Sequence, residues 1–259
     1  MNRPQLPKTM KTLLLLTLAS CGTTSLVNAA TLANRWSFDT DTTDSVGGNT
    51  GTLNNGATVS AGNLVLAGTG TSTGGNHMGF TSSLAIGATH GASGVTIESW
   101  YTDTGTGTWG KLFQFGNNVA GEELAYTHTR GNGEMSGVDR NGSQLLGEQV
   151  SQNFQHHLVI SVSSNGNLNT WIDGAQKLSN IDTNDLSNVN TTFEGIGATS
   201  WGDPGMTGTV DEFRIYSGEL SAGEVTANFA AGPNTIIPEP SGLAFVLVGS
   251  LLTIRRRRA

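Results

Sequence analysis

His156-His157-Leu158-Val159-Ile160-Ser161-Val162, Asn165-Gly166 and Leu168-Asn169-Thr170-Trp171-Ile172-Asp173-Gly174 decide how this chain folds. Leu158, Ile160 and Val162 alternate with Val159 and Ser161, and Leu168, Thr170 and Ile172 alternate with Asn169 and Trp171. A period of two puts each set on one face of a strand. Asn-Gly and Asp-Gly tolerate the positive φ of tight hairpin turns. The stretch therefore predicts two antiparallel strands followed by a turn into a third.

The same alternation recurs at Trp36 and Phe38, at Val95 and Ile97, and at Phe213 and Ile215, and Asn141-Gly142 marks another hairpin. Between these runs lie clusters of Gly, Asn, Ser, Thr and Asp. Many short strands so separated predict an all-β, two-sheet antiparallel sandwich. One short helix is expected at its C-terminal end. Ser221-Ala222-Gly223-Glu224 is a capping box, Val225 and Phe229 share a helix face, and Gly232-Pro233 ends it. No repeat or internal boundary divides residues 30–233, and a single sandwich can fill about 200–250 residues.

The ends read differently. Arg3, Lys8 and Lys11 precede the apolar run Leu13–Leu18, and Val27-Asn28-Ala29 supplies small or apolar residues before Ala30. This pattern predicts a signal peptide over 1–29. Leu18-Ala19-Ser20-Cys21 offers a rival cut, resembling the lipobox of bacterial lipoproteins, with Cys21 lipidated. At the other end, Pro238-Glu239-Pro240 precedes the apolar segment 241–254 and Arg255-Arg256-Arg257-Arg258. That segment has 14 residues, about 21 Å as a helix, against a bilayer core of about 30 Å. Four arginines stay on the cytoplasmic side and act as a membrane stop. Residues 234–259 thus resemble the PEP-CTERM sorting signal. The resemblance implies recognition by an exosortase in the inner membrane of an exopolysaccharide-making Gram-negative bacterium. The chain would reside there transiently, then pass to the cell surface or extracellular matrix.

The single Cys rules out a disulfide scaffold and multi-Cys metal sites. The net charge of −7 argues against a nucleic-acid partner, and it understates the domain's acidity. Residues 30–237 hold 6 basic and 19 acidic side chains, a net of −13. An anionic polymer is disfavoured, so a neutral or cation-bridged exopolysaccharide is the expected partner.

Three ordered segments carry a further resemblance: Arg35-Trp36-Ser37-Phe38-Asp39, the residues 156–174 quoted above, and Gly208-Thr209-Val210-Asp211-Glu212-Phe213-Arg214-Ile215-Tyr216 ahead of Leu220-Ser221. Together they resemble the LamG-like jelly-roll domains of the concanavalin A-like lectin/glucanase superfamily. The resemblance implies a jelly roll of two antiparallel sheets with roughly six or seven strands each. This fold hosts lectins, glycosidases and adhesion modules alike.

Glycoside hydrolysis needs two carboxyl groups across the scissile bond. The superfamily's glucanases supply them as Glu-x-Asp-x-x-Glu or a form one residue shorter, and neither occurs. Glu122-Glu123 and Asp211-Glu212 are adjacent, so each pair points to opposite faces and reads as solvated or turn-stabilising acids. An acid pair from separate strands stays open. No Gly-x-Ser-x-Gly elbow accompanies the histidines. Of His156-His157, one should face the core and one solvent. For sugar stacking, Trp109 and Trp201 sit in loop-like sequence, whereas Trp36, Trp100 and Trp171 fall within strand patterns. For a structural calcium, the family analogy nominates Asp39, Asp44 and Asp211. Polar turns with Asx hydrogen bonds fit the same aspartates, and the sequence favours them. The leading expectation is a non-enzymatic carbohydrate-binding or adhesion module. The alternatives are a polysaccharide-active hydrolase and a purely structural matrix protein.

Overall fold

The computed structural model describes residues 30–105, 107–130 and 135–237. The signal peptide, Cys21, Pro238-Glu239-Pro240, segment 241–254 and Arg255–Arg258 lie outside the described residues. Among those described, no helix is long and apolar enough to cross a membrane. The chain runs through β1 (Thr31–Trp36), β2 (Gly51–Asn54), β3 (Thr58–Ser60), β4 (Asn63–Ala67), β5 (His77–Phe80), the five-residue α1 (Ile86–His90), β6 (Val95–Asp103), β7 (Lys111–Gly116) and β8 (Glu123–Thr127). It continues through β9 (Gly137–Asp139), β10 (Ser143–Leu145), β11 (Gln155–Val162), β12 (Asn167–Ile172), β13 (Ala175–Asp182), β14 (Phe193–Ile196), β15 (Thr207–Ser217) and α2 (Ala222–Ala231).

These strands form the expected antiparallel sandwich, with eight and seven strands among the described residues. One sheet is ordered β13-β12-β11-β6-β15-β4-β3, with β1 also paired to β15; the other is ordered β10-β9-β8-β7-β14-β5-β2. The hairpin read first is present as β11 and β12, with Leu158 opposite Ile172 and Val162 opposite Leu168. Asp173-Gly174 turns into β13 and Asn141-Gly142 joins β9 to β10, all four residues at positive φ as a type I′ turn requires. β1 stops at Trp36, earlier than the alternation suggests: Phe38 has φ 54 and turns the chain while staying buried.

Between the sheets, Leu158, Ile160, Leu168, Phe213 and Ile215 share one apolar core with Phe113, Phe115, Leu124 and Tyr126. Burying one such side chain contributes about 1.5–3 kcal/mol. Two bulges set the faces. In β15 the register shifts between Val210 and Glu212 opposite β6. Val210, Phe213 and Ile215 thereby all face inward, with Glu212, Arg214 and Tyr216 outward. In β7 the shift lies between Lys111 and Phe113, which leaves Lys111 and Gln114 together on the outer face.

The outer face of the eight-stranded sheet is roofed by α2. Its capping box is formed, Ser221 accepting from Glu224 N and Glu224 from Ser221 N. Ala30, Val159, Trp171, Tyr216, Leu220 and Val225 make a second apolar cluster there. This roof overturns the expectation that one of His156 and His157 faces solvent, since both are buried. It also overturns the reading of Glu212 as a solvated acid: Glu212 is fully buried, paired with Arg35 and with Arg214 Nε at 2.7 Å. Beside it, buried Glu98 accepts from His157 Nε2 at 2.8 Å, Arg214 Nη1 at 3.1 Å, Tyr216 OH at 2.7 Å and Asn228 Nδ2 at 3.0 Å. Arg214 also lies 4.7 Å over the Trp100 ring and donates to the Pro233 and Thr235 carbonyls. Removing one member of such a set strands the others without water. Glu98→Ala should therefore destabilise the domain by about 3–5 kcal/mol in urea unfolding; a loss under about 1 kcal/mol would show that the network is solvated.

Candidate functional site

On the outer face of the seven-stranded sheet, β7, β8 and β9 put Lys111, Gln114, Glu123, Thr127 and Asp139 side by side. The register pairs Lys111 with Thr127, Gln114 with Ala125 and Ala125 with Asp139. Two loops rise from this floor and enclose a cavity of about 330 Å³. Both loop tryptophans reach it. Trp109 forms one wall and Trp201 another, with Arg130 and Asp203 beside them.

Gln114 organises the Trp201 wall. Its Oε1 accepts from Thr199 Oγ1 at 2.7 Å and Ser200 N at 2.6 Å, and its Nε2 donates to Glu123 Oε2 at 2.7 Å. Trp201 N is held by Thr199 Oγ1 at 3.1 Å, and Trp201 Nε1 donates to the same Glu123 oxygen at 2.8 Å. The Trp109 wall is strained: φ is 72, an unfavourable region for a bulky residue, costing about 1–3 kcal/mol. It is held there by Trp109 N donating to Thr129 O at 2.8 Å. The next residue, Arg130, lies over the Trp109 ring at 4.6 Å. Arg130 is buried and binds Ser143 Oγ and Asp139 Oδ1 through Nη2, while Nε and Nη1 have no hydrogen-bond partner among the described residues.

Three carboxylates and two cations line the cavity. Burial pushes the Glu123 carboxyl up to about 7; donation from Trp201 opposes this, nearby Asp139 adds to it, and Lys111 and Gln114 oppose it. Asp139 accepts from Ser143 Oγ at 2.8 Å and Thr127 Oγ1 at 3.3 Å, and pairs with Arg130 at 3.2 Å and Lys111 at 3.3 Å. The Glu122-Glu123 reading thus splits. Glu122 stabilises loops, accepting from Asn117 Nδ2 at 2.7 Å and Asn190 Nδ2 at 3.1 Å. Glu123 is buried in the cavity wall instead of solvated.

The aspartates nominated for calcium do not share one centre. Asp44 is buried and filled by N–H donors: Arg35, Val46 and Gly47 backbone on Oδ1, Asn34 Nδ2 and Asn49 backbone on Oδ2. Burial works against ionisation, but these donors hold its carboxyl below the usual range. It shapes the loop after β1. Asp211 accepts from Gln155 Nε2 at 2.8 Å. Its carboxyl is raised by burial and by the neighbouring Asp39 charge. Among the described residues no group of three or more His, Cys, Asp or Glu is arranged to hold a metal ion.

One constellation that the sequence did not reveal is Ser151, His156 and Asp173. Ser151 Oγ lies 3.1 Å from His156 Nε2, and His156 Nδ1 lies 2.7 Å from Asp173 Oδ2. The spacing matches a nucleophilic triad, but Nε2 also lies 2.9 Å from the Ser151 carbonyl, to which it must donate. Hydrogen bonding to Asp173 raises the imidazole pKa, and the Ser151 carbonyl competes with the hydroxyl for Nε2. The set ties the strand start to the β12–β13 turn.

Glu123 gives the fold a measurable pH signature. Its carboxyl is raised in the folded state, so between about pH 4.5 and 7 the native protein binds more protons than the unfolded chain. Stability should fall as pH rises through that window, on the order of 3 kcal/mol from this group. Glu123→Gln should flatten that part of the curve in denaturant unfolding followed against pH.

The Laminin_G_3 family model, described as Concanavalin A-like lectin/glucanases superfamily, matches residues 72–226, more than half of the chain. No curated protein sequence matches it. Among solved structures, domain 4 of AbnA, an extracellular arabinanase from Geobacillus stearothermophilus in complex with arabinotriose, is 24% identical with a TM-score of 0.61. That similarity covers 77% of this chain and 98% of that domain. Trypanosoma rangeli sialidase is 13% identical with a TM-score of 0.58, covering 76% of this chain and 32% of the sialidase. A structure of botulinum neurotoxin type C, which depends on two ganglioside molecules to enter cells, is 11% identical with a TM-score of 0.55, covering 79% and 51%. This chain therefore spans nearly all of the arabinanase domain but about a third of the sialidase. The match over residues 72–226, on a sandwich of this topology, shows that the chain belongs to the concanavalin A-like lectin/glucanase superfamily.

Proposed function

We propose that the protein is a carbohydrate-binding module that takes a sugar unit in the cavity between Trp109 and Trp201. The observation that carries this reading is the convergence of these two tryptophans, from separate loops, over a floor of paired carboxylates and cations. An indole face stacks on a sugar's apolar face, while a few fixed polar groups orient its hydroxyls. Arg130 and Lys111 bring positive charge to the cavity lining, and Glu123, its carboxyl pushed up to about 7, can take up a proton and so donate as well as accept. The cavity lies at the small end of ligand sites, about 300–1,000 Å³. A domain of the same fold has been seen with arabinotriose, which makes that trisaccharide the first probe. Trp109→Ala and Trp201→Ala should each abolish saccharide binding in titration calorimetry while leaving the fold cooperative. Binding that survives both substitutions would move the site elsewhere.

A hydrolytic reading has one observation in its favour, the raised Glu123 carboxyl with Asp139 on the next strand. Against it, Thr127, Ser143, Lys111 and Arg130 all donate to Asp139, so its oxygens are already engaged. Sugar release in the same titrations, lost in Glu123→Gln with binding retained, would favour hydrolysis over binding.

The proposal extends to location. The PEP-CTERM resemblance of residues 234–259 supports export and exosortase-dependent sorting to the cell surface or matrix, where a neutral exopolysaccharide is the partner. Replacing Arg255–Arg258 by serine should abolish surface delivery in cell fractionation; unchanged delivery would refute the sorting signal.

A further inference from the structure

Lys111 occupies an unusual position in the cavity. Its side chain is buried, and its Nζ lies 3.3 Å from Asp139 Oδ2, 3.6 Å from Asp203 Oδ2 and 3.5 Å from Thr127 Oγ1. These three oxygens come from β9, the loop that carries Trp201, and β8. Carboxylate and neutral oxygens gathered from several elements are the surroundings that a hard cation takes. Here the compact charge of an ammonium, with three donors for three oxygens, stands among them. Its placement is set by the backbone. The β7 bulge turns Lys111 outward, and a parallel bridge to Gly205 ties it beside the Trp201 loop. Arg130 adds a second buried positive charge, paired with Asp139. A divalent ion entering this space would meet both.

We infer that Lys111 takes the place of a site cation, so that the cavity is assembled and accepts saccharide without any divalent metal. The ammonium holds Asp203 and the Trp201 loop against Asp139 on the sheet, as a bridging metal would. The saccharide part of this inference rests on the carbohydrate-binding reading above, whereas the cation part does not.

The test titrates calcium into the wild-type protein, Lys111→Ala and Lys111→Arg, and measures arabinotriose binding by each with and without EDTA. Lys111→Ala should take up one calcium equivalent more than wild type, with a dissociation constant of about 10⁻⁴–10⁻³ M. Lys111→Arg, which keeps the charge, should not. Wild-type arabinotriose binding should be indifferent to EDTA, and Lys111→Ala should lose it and regain it in millimolar calcium. Loss of wild-type binding in EDTA, or equal calcium uptake by wild type and Lys111→Ala, would overturn the inference. If no protein binds arabinotriose, the carbohydrate reading fails for that sugar, and the difference in calcium uptake still decides the role of Lys111. If Lys111→Ala does not fold, Lys111→Ser carries the same calcium measurement.

Discussion

In a sandwich the alternation of side chains across each sheet governs everything built on it, because a one-residue slip exchanges core and surface along a whole strand. Two bulges use that rule here. The shift near Asp211 lets β15 send Phe213 and Ile215 into the core while Glu212, Arg214 and Tyr216 point outward. The shift near Leu112 places Lys111 and Gln114 on one outer face although they are three residues apart. Without the second shift, Lys111 and Gln114 would face opposite ways, and the cavity would lose either Lys111 or the amide that anchors the Trp201 loop.

The two outer faces solve the problem of buried charge differently. Under α2, Glu98, Glu212, Arg35 and Arg214 pair with one another and with His157, Tyr216 and Asn228. His157 Nδ1 is left buried without a partner among the described residues, and the Arg214 contacts to the Pro233 and Thr235 carbonyls pin the chain just before the C-terminal segment. Over β7–β9 the charges are paired around a cavity: Arg130 Nε and Nη1 have no partner among the described residues, and Glu123 is held by one oxygen near the cavity wall. Hydrogen-bonded charge rigidifies the first face, while the second borders a cavity lined by charged groups. Strain at Trp109 belongs with the second face, since unfavourable backbone persists where the surroundings over-determine it.

Much of the fold was legible in the residues. Alternation at 158–162 and 168–172, the Asn-Gly and Asp-Gly turns and the Ser221–Glu224 box correspond to β11, β12, their hairpins and the capped α2. The two loop tryptophans were legible as candidates because they stand outside any strand pattern. Glu123 and Lys111 were not, because adjacency to Glu122 and a lone lysine before an aromatic strand carry no signal of what lies across the sheet. Gln114 left a faint trace, a single amide between Phe113 and Phe115. His157 and Glu212 were misjudged for a shared reason: alternation tells which face a side chain takes, and a helix arriving from the chain's end, with Phe229 stacked on His157, covers the face that alternation marks as solvent.

The sequence by itself determined the strand faces, the turns, the capped helix and the acidity of the domain, because each depends on neighbours within a few residues. Only the tertiary structure decided which loops meet, which charges are shared and which carboxyl is pushed up toward neutrality. Those outcomes depend on register across strands and on burial, and both are set by contacts between residues far apart in the chain.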